Sequence, residues 1–387
     1  MLIKCMLIIM KKRIRIVSIA IVFMLIVITF IVIDNKDNKK TFKQDGVTYA
    51  LTLDGKSTNS FPSKGLYKAS VTCENAKGKW LYDEWKLAIE NITGNVSCDI
   101  DFTTISKTYL NSYVTSLAGT TQGTGQVVNE KGYRYEGKNP NNYVWFNNEL
   151  WRIIGVFDSA SHGVSGKNLV KIIRADTLDG LAWDRNDVND WTKASLNKLL
   201  NGAYYNAQDG TSSGYCYGYS TSMTMNCDYT QKGIQDGYRS MIANVTWYLG
   251  GLSGGGATAE AFYGYERGTL VYGGIPTSTT RYIGLMYPSD YGYSVLSSSC
   301  ARTTNLSSYD TASCGGQSWL VGKGFEWTLS PHSSSSDYVF FVYFYGAVFH
   351  NSSAYYGYGH RPVLYLDSSV YKIDGDGSMG NPYIIGM

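Results

Sequence analysis

The sequence is poor in charge and lacks several short patterns that mark nucleotide-binding, metal-binding and redox sites. Charged residues make up 17% of the 387 residues, and the formal net charge is only +3, which argues against the basic surface of a nucleic-acid-binding domain. No phosphate-binding loop, His-Glu-x-x-His or Cys-x-x-Cys occurs, and the four histidines are scattered. We therefore expect no nucleic acid, no metal, no cofactor and no enzymatic activity.

A second absence lies near the C-terminus. From Thr328 to Tyr371 the sequence contains no Lys, Glu, Gln, Met or Trp. Within this run, Val339 to Tyr345 has the strong β-propensity of a buried aromatic strand. The same composition is typical of a binding surface, because Tyr and Phe give contact area with few rotatable bonds and Ser, Gly and Asn give adaptable polar contacts. Since side chains alternate between the two faces of a strand, both interpretations can hold together, with Phe341, Tyr343 and Tyr345 on the outward face.

Short motifs flank the run, namely Glu326-Trp327-Thr328 before it and Gly359-His360-Arg361-Pro362-Val363 after it. They resemble the end of a C-type-lectin-fold domain of the formylglycine-generating-enzyme type, with His360 in place of the family's Phe. The resemblance covers about residues 132–387. Some members are bacterial surface proteins diversified by a retroelement that mutates adenines, and the resulting codons cannot encode the five residue types missing here.

The resemblance implies an α+β domain whose loop-rich face binds a protein or glycan ligand. It also implies that Glu326 and Trp327 belong to the core. The contact residues expected on this face are His332, Asp337, Tyr338, Phe341, Tyr343, Tyr345, Phe349, His350, Asn351, Tyr355, Tyr356, Tyr358 and His360.

Two other functions stay open at this point. An extracellular enzyme of the sulfatase-modifying type would need a reactive thiol, but no Cys lies between Trp327 and Arg361, so the family's cysteine placement is not matched. A non-binding scaffold of the cell envelope is the third interpretation. Glu326 has no partner base nearby in sequence, which argues against a role as catalytic acid.

Six of the seven cysteines form close sequence pairs, and an even number in an exported chain indicates disulfides in an oxidising compartment. The nearest-neighbour pairs are Cys73–Cys98, Cys216–Cys227 and Cys300–Cys314, although other pairings are possible. The remaining one, Cys5, precedes a hydrophobic segment.

That segment, Ile16 to Ile33, is uncharged and long enough to span a bilayer. Lys and Arg residues precede it, which predicts a cytoplasmic N-terminus. We expect a retained signal anchor, with a cleaved signal peptide as the alternative. The chain would then be a single-pass protein of the cell membrane with its C-terminal bulk outside.

Turn residues and periodicity divide the rest of the chain. The expected parts are residues 1–33 (n-region and transmembrane anchor), 34–45 (stalk), 46–104 (a small β-sandwich-like domain), 105–131 (linker) and 132–387 (the C-type-lectin-like domain). Strands are predicted at Thr48–Leu53, Tyr67–Thr72 and Trp85–Ile89. Helices are predicted at Tyr109–Ala118, Trp191–Leu200, Ile234–Leu249 and Ala257–Tyr265. Strands followed by helices and further strands predict the α+β class.

Overall fold

The computed structural model describes residues 41–44, 46–82 and 84–387. They form two compact units that divide between Lys107 and Thr108. Ile16 to Ile33 and Cys5 lie outside the described residues. The longest described α-helix has eight residues, about 12 Å at 1.5 Å per residue, against the roughly 30 Å of a bilayer core. No helix in the described part can therefore cross a membrane, which contradicts the expected cell-membrane localisation.

The first unit is a small β-structure. Its strands are β1 (Thr41–Gln44), β2 (Val47–Leu53), β3 (Lys56–Thr58), β4 (Tyr67–Glu74), β5 (Lys77–Leu81), β6 (Lys86–Glu90) and β7 (Ser97–Thr104). One sheet has the order β1-β2-β7-β4, with β3 beside β2, and β5 and β6 pair separately. Tyr49, Ile100 and Phe102 are buried in its core. The Cys73–Cys98 disulfide joins residues that face each other across β4 and β7.

The second unit contains the remaining strands and all the described helices. In chain order the strands are β8 (Thr108–Tyr109), β9 (Thr121–Gln122), β10 (Thr124–Asn129), β11 (Tyr133–Asn139), β12 (Tyr143–Phe146), β13 (Glu149–Phe157), β14 (Leu169–Arg174), β15 (Leu178–Ala182), β16 (Tyr217–Tyr219), β17 (Met223–Thr224), β18 (Val245–Tyr248), β19 (Ser278–Arg281), β20 (Ile283–Gly284), β21 (Glu326–Pro331), β22 (Tyr338–Val342), β23 (Val348–Ser353), β24 (Gly357–His360), β25 (Val363–Leu366), β26 (Tyr371–Asp374) and β27 (Tyr383–Gly386). The α-helices are α1 (Leu110–Ser116), α2 (Ser159–His162), α3 (Ser195–Leu199), α4 (Asp236–Arg239), α5 (Ala259–Glu266) and α6 (Pro288–Tyr293). A π-helical turn (Leu200–Tyr204) continues α3.

Two sheets organise the second unit. The larger one has the path β20-β25-β14-β13-β12-β27-β26-β8, and β11, β10 and β9 extend it from β13. The smaller one has the order β15-β24-β21-β22-β23. Together with the helices they enclose one apolar core that contains Trp151, Trp183, Trp191, Trp247 and Trp327. The Cys216–Cys227 and Cys300–Cys314 disulfides are also present, so the three expected disulfides are confirmed.

The expected α+β class is wrong, because the structure is β-rich, with 40% strand and 13% helix. The expected helix at Ile234–Leu249 shows why. Only Asp236–Arg239 is helical, and Val245–Tyr248 is a strand that pairs with β19. Its β-branched and aromatic residues favour a strand, and the buried residues Val245 and Trp247 alternate with the half-buried Thr246 and Tyr248, as in a strand with one buried face. In the Trp191–Leu200 segment, α3 likewise begins only at Ser195.

Candidate ligand-binding surface

The aromatic run, with Glu326 and Trp327 before it, forms the four adjacent strands β24, β21, β22 and β23 of the smaller sheet. Phe341 on β22 pairs with Trp327 on β21 and with Phe349 on β23. A tight turn at Tyr343–Gly346 joins β22 to β23, closed by the Tyr343 amide donating to the Ala347 carbonyl at 2.8 Å. Gly346 has φ +105°, which only glycine adopts readily. The turn therefore projects consecutive aromatic residues from the end of the hairpin.

These residues form a continuous layer of rings. The Tyr343 centroid lies 4.6 Å from Phe344, 4.3 Å from Tyr345 and 4.5 Å from Phe325. Phe325 in turn stacks on Tyr358 of β24 at 4.9 Å. Edge-to-face and offset contacts at these distances stabilise aromatic pairs beyond their buried area, so the layer is held rigid by its own members.

A second group of tyrosines continues the layer. The Tyr355 centroid lies 4.7 Å from Tyr356 and 5.0 Å from Tyr219, and Tyr356 lies parallel to Tyr358 at 6.2 Å. The hydroxyl groups of Tyr356 and Tyr219 raise the pKa of Tyr355. We call the whole set the aromatic surface: Tyr219, Phe325, Tyr343, Phe344, Tyr345, Phe349, Tyr355, Tyr356 and Tyr358.

Three members of the aromatic surface, one phenylalanine and two tyrosines, are exposed to solvent. Phe344 is 50% exposed, Tyr219 42% and Tyr356 37%, while the remaining members are half-buried. Exposed aromatic rings that cluster in this way mark interaction sites far more often than single exposed apolar residues do. The cluster is thus the strongest candidate binding surface in the described part of the chain.

Buried polar contacts fix the strands beneath the surface. The Arg361 guanidinium donates from Nε to Glu326 Oε1 at 2.6 Å and from Nη2 to Oε2 at 2.9 Å. Both side chains are buried, and Arg361 also donates to the Leu320 carbonyl at 2.6 Å. The Trp327 indole donates to the Leu181 carbonyl at 2.9 Å. A bidentate, fully hydrogen-bonded pair of this kind locks its geometry, so Glu326 supports β21 and is no free acid.

Three of the expected contact residues are buried, so their prediction as ligand contacts is wrong. Phe341 is 3% exposed because β22 turns it towards Trp327 and Tyr358. His332 is 7% exposed and His360 is fully buried. Burial, and next the positive charge of Arg174, lower the pKa of His360 to about 3. His360 is therefore a neutral core residue.

Six of the expected residues do belong to the aromatic surface: Tyr343, Tyr345, Phe349, Tyr355, Tyr356 and Tyr358. The other four lie around it. Asn351 is exposed, and Tyr338 is half-buried. Asp337 accepts hydrogen bonds from Ser335 and from Ser353, the latter at 3.0 Å, so its carboxylate joins the loop before β22 to the end of β23.

His350 stacks on His332, with ring centroids 4.8 Å apart and planes 18° apart. Burial lowers the pKa of both rings, and His350 lowers that of His332 further. Within the described residues no group of three or more His, Cys, Asp or Glu is placed to hold a metal ion.

Sequence reasoning missed Tyr219, Phe325 and Phe344. Tyr219 lies more than a hundred residues before the run, in the loop closed by the Cys216–Cys227 disulfide. The Ser220 amide donates to the Tyr355 carbonyl at 2.9 Å and brings this loop to the surface. In the sequence, only the neighbouring cysteines Cys216 and Cys227 indicate an ordered loop around Tyr219. Phe344 was assigned inward by strand alternation, but β22 ends at Val342.

Comparisons with protein-family models, with characterised proteins and with solved structures find no match to this chain. The resemblance to C-type-lectin-fold domains therefore stays a hypothesis that rests on the two flanking motifs.

Proposed function

We propose that the 108–387 unit is a binding module that captures a protein ligand on its aromatic surface. The observation that carries the proposal is the continuous layer of rings from Tyr219 to Phe344. Phe344, which has no hydroxyl group, is its most exposed member. Tyr and Phe rings held by their neighbours lose little conformational freedom on binding. The three disulfides support an oxidising, extracellular setting for this encounter.

The composition of the surface favours a protein over a glycan. Sugar hydroxyl groups need several carboxylate or amide partners beside the stacking ring. Here the Asp337 carboxylate is already engaged by Ser335 and Ser353, and Asn351 is the one exposed amide on the strands beneath the surface. Interfaces between proteins, in contrast, are enriched in aromatic residues at their centre and depleted in charge.

The enzymatic alternative needs a reactive thiol. Every cysteine among the described residues is in a disulfide, so this part of the chain offers no thiolate for such chemistry. We therefore propose a non-catalytic role.

The test replaces the exposed rings and leaves the buried ones in place. A photo-crosslinking amino acid at Tyr345 of the full-length chain should capture the ligand in its native setting, after which the ligand is purified and titrated. Phe344→Ser with Tyr356→Ser should weaken binding at least about 30-fold, the effect of losing a central aromatic contact of about 2 kcal/mol. The melting temperature should fall only slightly, because both rings are among the most exposed of the layer and lose only part of their ring contacts.

Tyr272→Ser is the matched control, because Tyr272 is 43% exposed but has no ring contact with the aromatic surface. It should bind like wild type. Unchanged affinity of the double variant would refute the proposal. If the chain binds a glycan array and the free sugar competes this binding away, the ligand is a glycan and not a protein.

A further inference from the structure

A second concave site in the 108–387 unit shares no residue with the aromatic surface. It is a cleft of about 410 Å³, which lies within the size range of small-molecule sites. Its lining is Asn197, Lys198, Asn201, Gly202, Asn244, Thr280, Arg281 and Tyr282. These residues come from α3, the π-helical turn and the antiparallel β18–β19 pair with its flanks. Turns of π-helix are frequent at functional sites.

The floor of the cleft is rigid. Asn201 donates from Nδ2 to the Ile283 carbonyl at 2.9 Å and accepts from the Ile283 amide at 3.0 Å. The buried Asn197 donates to the Trp191 carbonyl at 2.7 Å. The paired Asn201 hydrogen bonds tie the π-helical turn to β20, and the Asn197 hydrogen bond ties α3 to the segment that precedes it. The geometry of the cleft is thus set before any ligand arrives, which reduces the entropy lost on binding.

The rim of the cleft carries positive charge, and no acidic residue lines it. Lys198 and Arg281 are its two cations, and neither forms an ion pair with a described residue. Lys198 lies 5.1 Å from the centroid of the Tyr215 ring, and its charge partly opposes the rise that burial causes in the pKa of Asp184, which is not part of the lining. Arg281 uses one Nη1 donor on the Thr280 carbonyl at 2.9 Å. An arginine with further donors beside a lysine favours a carboxylate, because the guanidinium matches that anion in a bidentate arrangement.

One wall of the cleft is aromatic. Tyr282 lies parallel to Tyr205, with ring centroids 4.4 Å apart and planes 12° apart. Because Tyr205 covers one face of this ring, Tyr282 offers its other face or edge to the cleft. Neither the Asn244 amide nor the Thr280 hydroxyl has a hydrogen-bond partner among the described residues. Tyr282 thus supplies a wall on which a ring can stack, and Asn244 and Thr280 supply polar groups that can bind the hydroxyl groups of a ligand.

We propose that this cleft binds an acidic sugar, with Arg281 and Lys198 holding its carboxylate and Tyr282 facing its ring. A single sugar unit fits the volume. A simple carboxylate would leave the aromatic wall unused, and a neutral sugar would leave both cations without an anion. Comparing an acidic sugar, a simple carboxylate and a neutral sugar therefore tests the aromatic wall and the two cations separately.

The experiment titrates the full-length chain with glucuronate, glucose and acetate and follows the ligand by saturation-transfer NMR and calorimetry. Glucuronate should bind at least tenfold more tightly than either of the others. Arg281→Gln should weaken glucuronate binding at least tenfold and leave the melting temperature unchanged, since this side chain holds no buried partner.

A pair of glycine variants tests the location. Gly202 lines the cleft and Gly264 lies on α5, and at both an added Cβ meets no atom within 4 Å. Gly202→Gln should fill the cleft and abolish glucuronate binding, whereas Gly264→Gln should bind like wild type. No glucuronate binding, equal affinity for glucose or acetate, or an unaffected Gly202→Gln variant would each overturn the proposal.

Discussion

His360 is a titratable side chain that the fold keeps neutral. It lies fully buried on β24, and burial together with Arg174 lowers its pKa to about 3. In the unfolded chain the same ring titrates near its ordinary value of about 6.5. As the pH falls below 6.5, the unfolded state takes up a proton that the folded state does not. Stability is therefore lost as the pH falls from 6.5 towards 3.

His360→Phe should flatten this acid sensitivity, because phenylalanine has no proton to take up. Wild type should lose up to about 1.4 kcal/mol of unfolding free energy per pH unit through this residue. Urea unfolding at pH 7.5 and 4.5 measures the change in both proteins. His162, His332 and His350 also have lowered pKa values and add the same slope to each protein. Parallel pH profiles would contradict the expectation.

At the residue scale, the sequence locates the aromatic run but not the direction of each ring. Strand alternation placed Phe341 outward with Tyr343 and Tyr345. In the structure Phe341 does lie in one layer with Tyr343, Phe349 and Tyr358, but these rings cover it. Phe344 follows the end of β22 at Val342, where strand alternation no longer applies. Exposure therefore depends on which rings cover one another, and alternation alone cannot assign it.

At the scale of elements, β24 is the strand that joins the two halves of the aromatic surface. It pairs with β15 and with β21, and its first residue, Gly357, lies against β16. A Cβ at Gly357 would stand 1.9 Å from the Gly218 carbonyl oxygen. Only glycine allows the two backbones to approach this closely, and the approach keeps Tyr219 beside Tyr355.

Gly357→Ala should therefore force β16 away from β24 and destabilise the protein by about 1–3 kcal/mol, the usual cost of overpacking. Denaturant unfolding measures the loss. Gly380→Ala is the control, because an added Cβ there meets no atom within 4 Å. If Gly357→Ala loses no more stability than Gly380→Ala, the close approach of β16 does not constrain the fold.

Element type follows from the sequence where composition and periodicity agree. The Tyr67–Thr72 and Trp85–Ile89 segments both contain strands, as their β-branched and aromatic residues predict. The helix Ala259–Glu266 overlaps the expected Ala257–Tyr265 segment and extends one residue beyond it. The prediction fails at Val245–Tyr248, which was expected to be helical but forms a strand because it pairs with β19. Neither sheet order nor the position of Tyr219 could be predicted, because both depend on contacts between distant segments.

At the scale of the whole second unit, the core encloses a cluster of charges. Asp290 on α6 accepts from Arg134 Nη1 at 3.0 Å and from Lys171 Nζ at 2.5 Å, and all three side chains are 1% exposed. Burial alone would raise the pKa of Asp290, but Lys171 and Arg134 hold it below its usual range. The cluster links β11, β14 and α6, so its charge state affects the whole unit.

Lys171 gives this cluster a distinctive response to alkaline pH. Burial lowers its pKa from 10.5 to about 8, against the opposing attraction of Asp290. Between pH 8 and 10 the folded state has released this proton while the unfolded state still holds it, so Lys171 alone contributes a rise in stability of up to about 1.4 kcal/mol per pH unit. Buried tyrosines with raised pKa values, such as Tyr287 and Tyr365, contribute the opposite slope as the pH approaches 10. Lys171→Met should therefore lose stability more steeply with rising pH than wild type, yet stay folded, because Arg134 still pairs with Asp290. Urea unfolding of both proteins at pH 7.5, 8.5 and 9.5 measures the difference, with the exposed Lys323→Met as control. Identical pH profiles for Lys171→Met and wild type would show that Lys171 stays charged in the core.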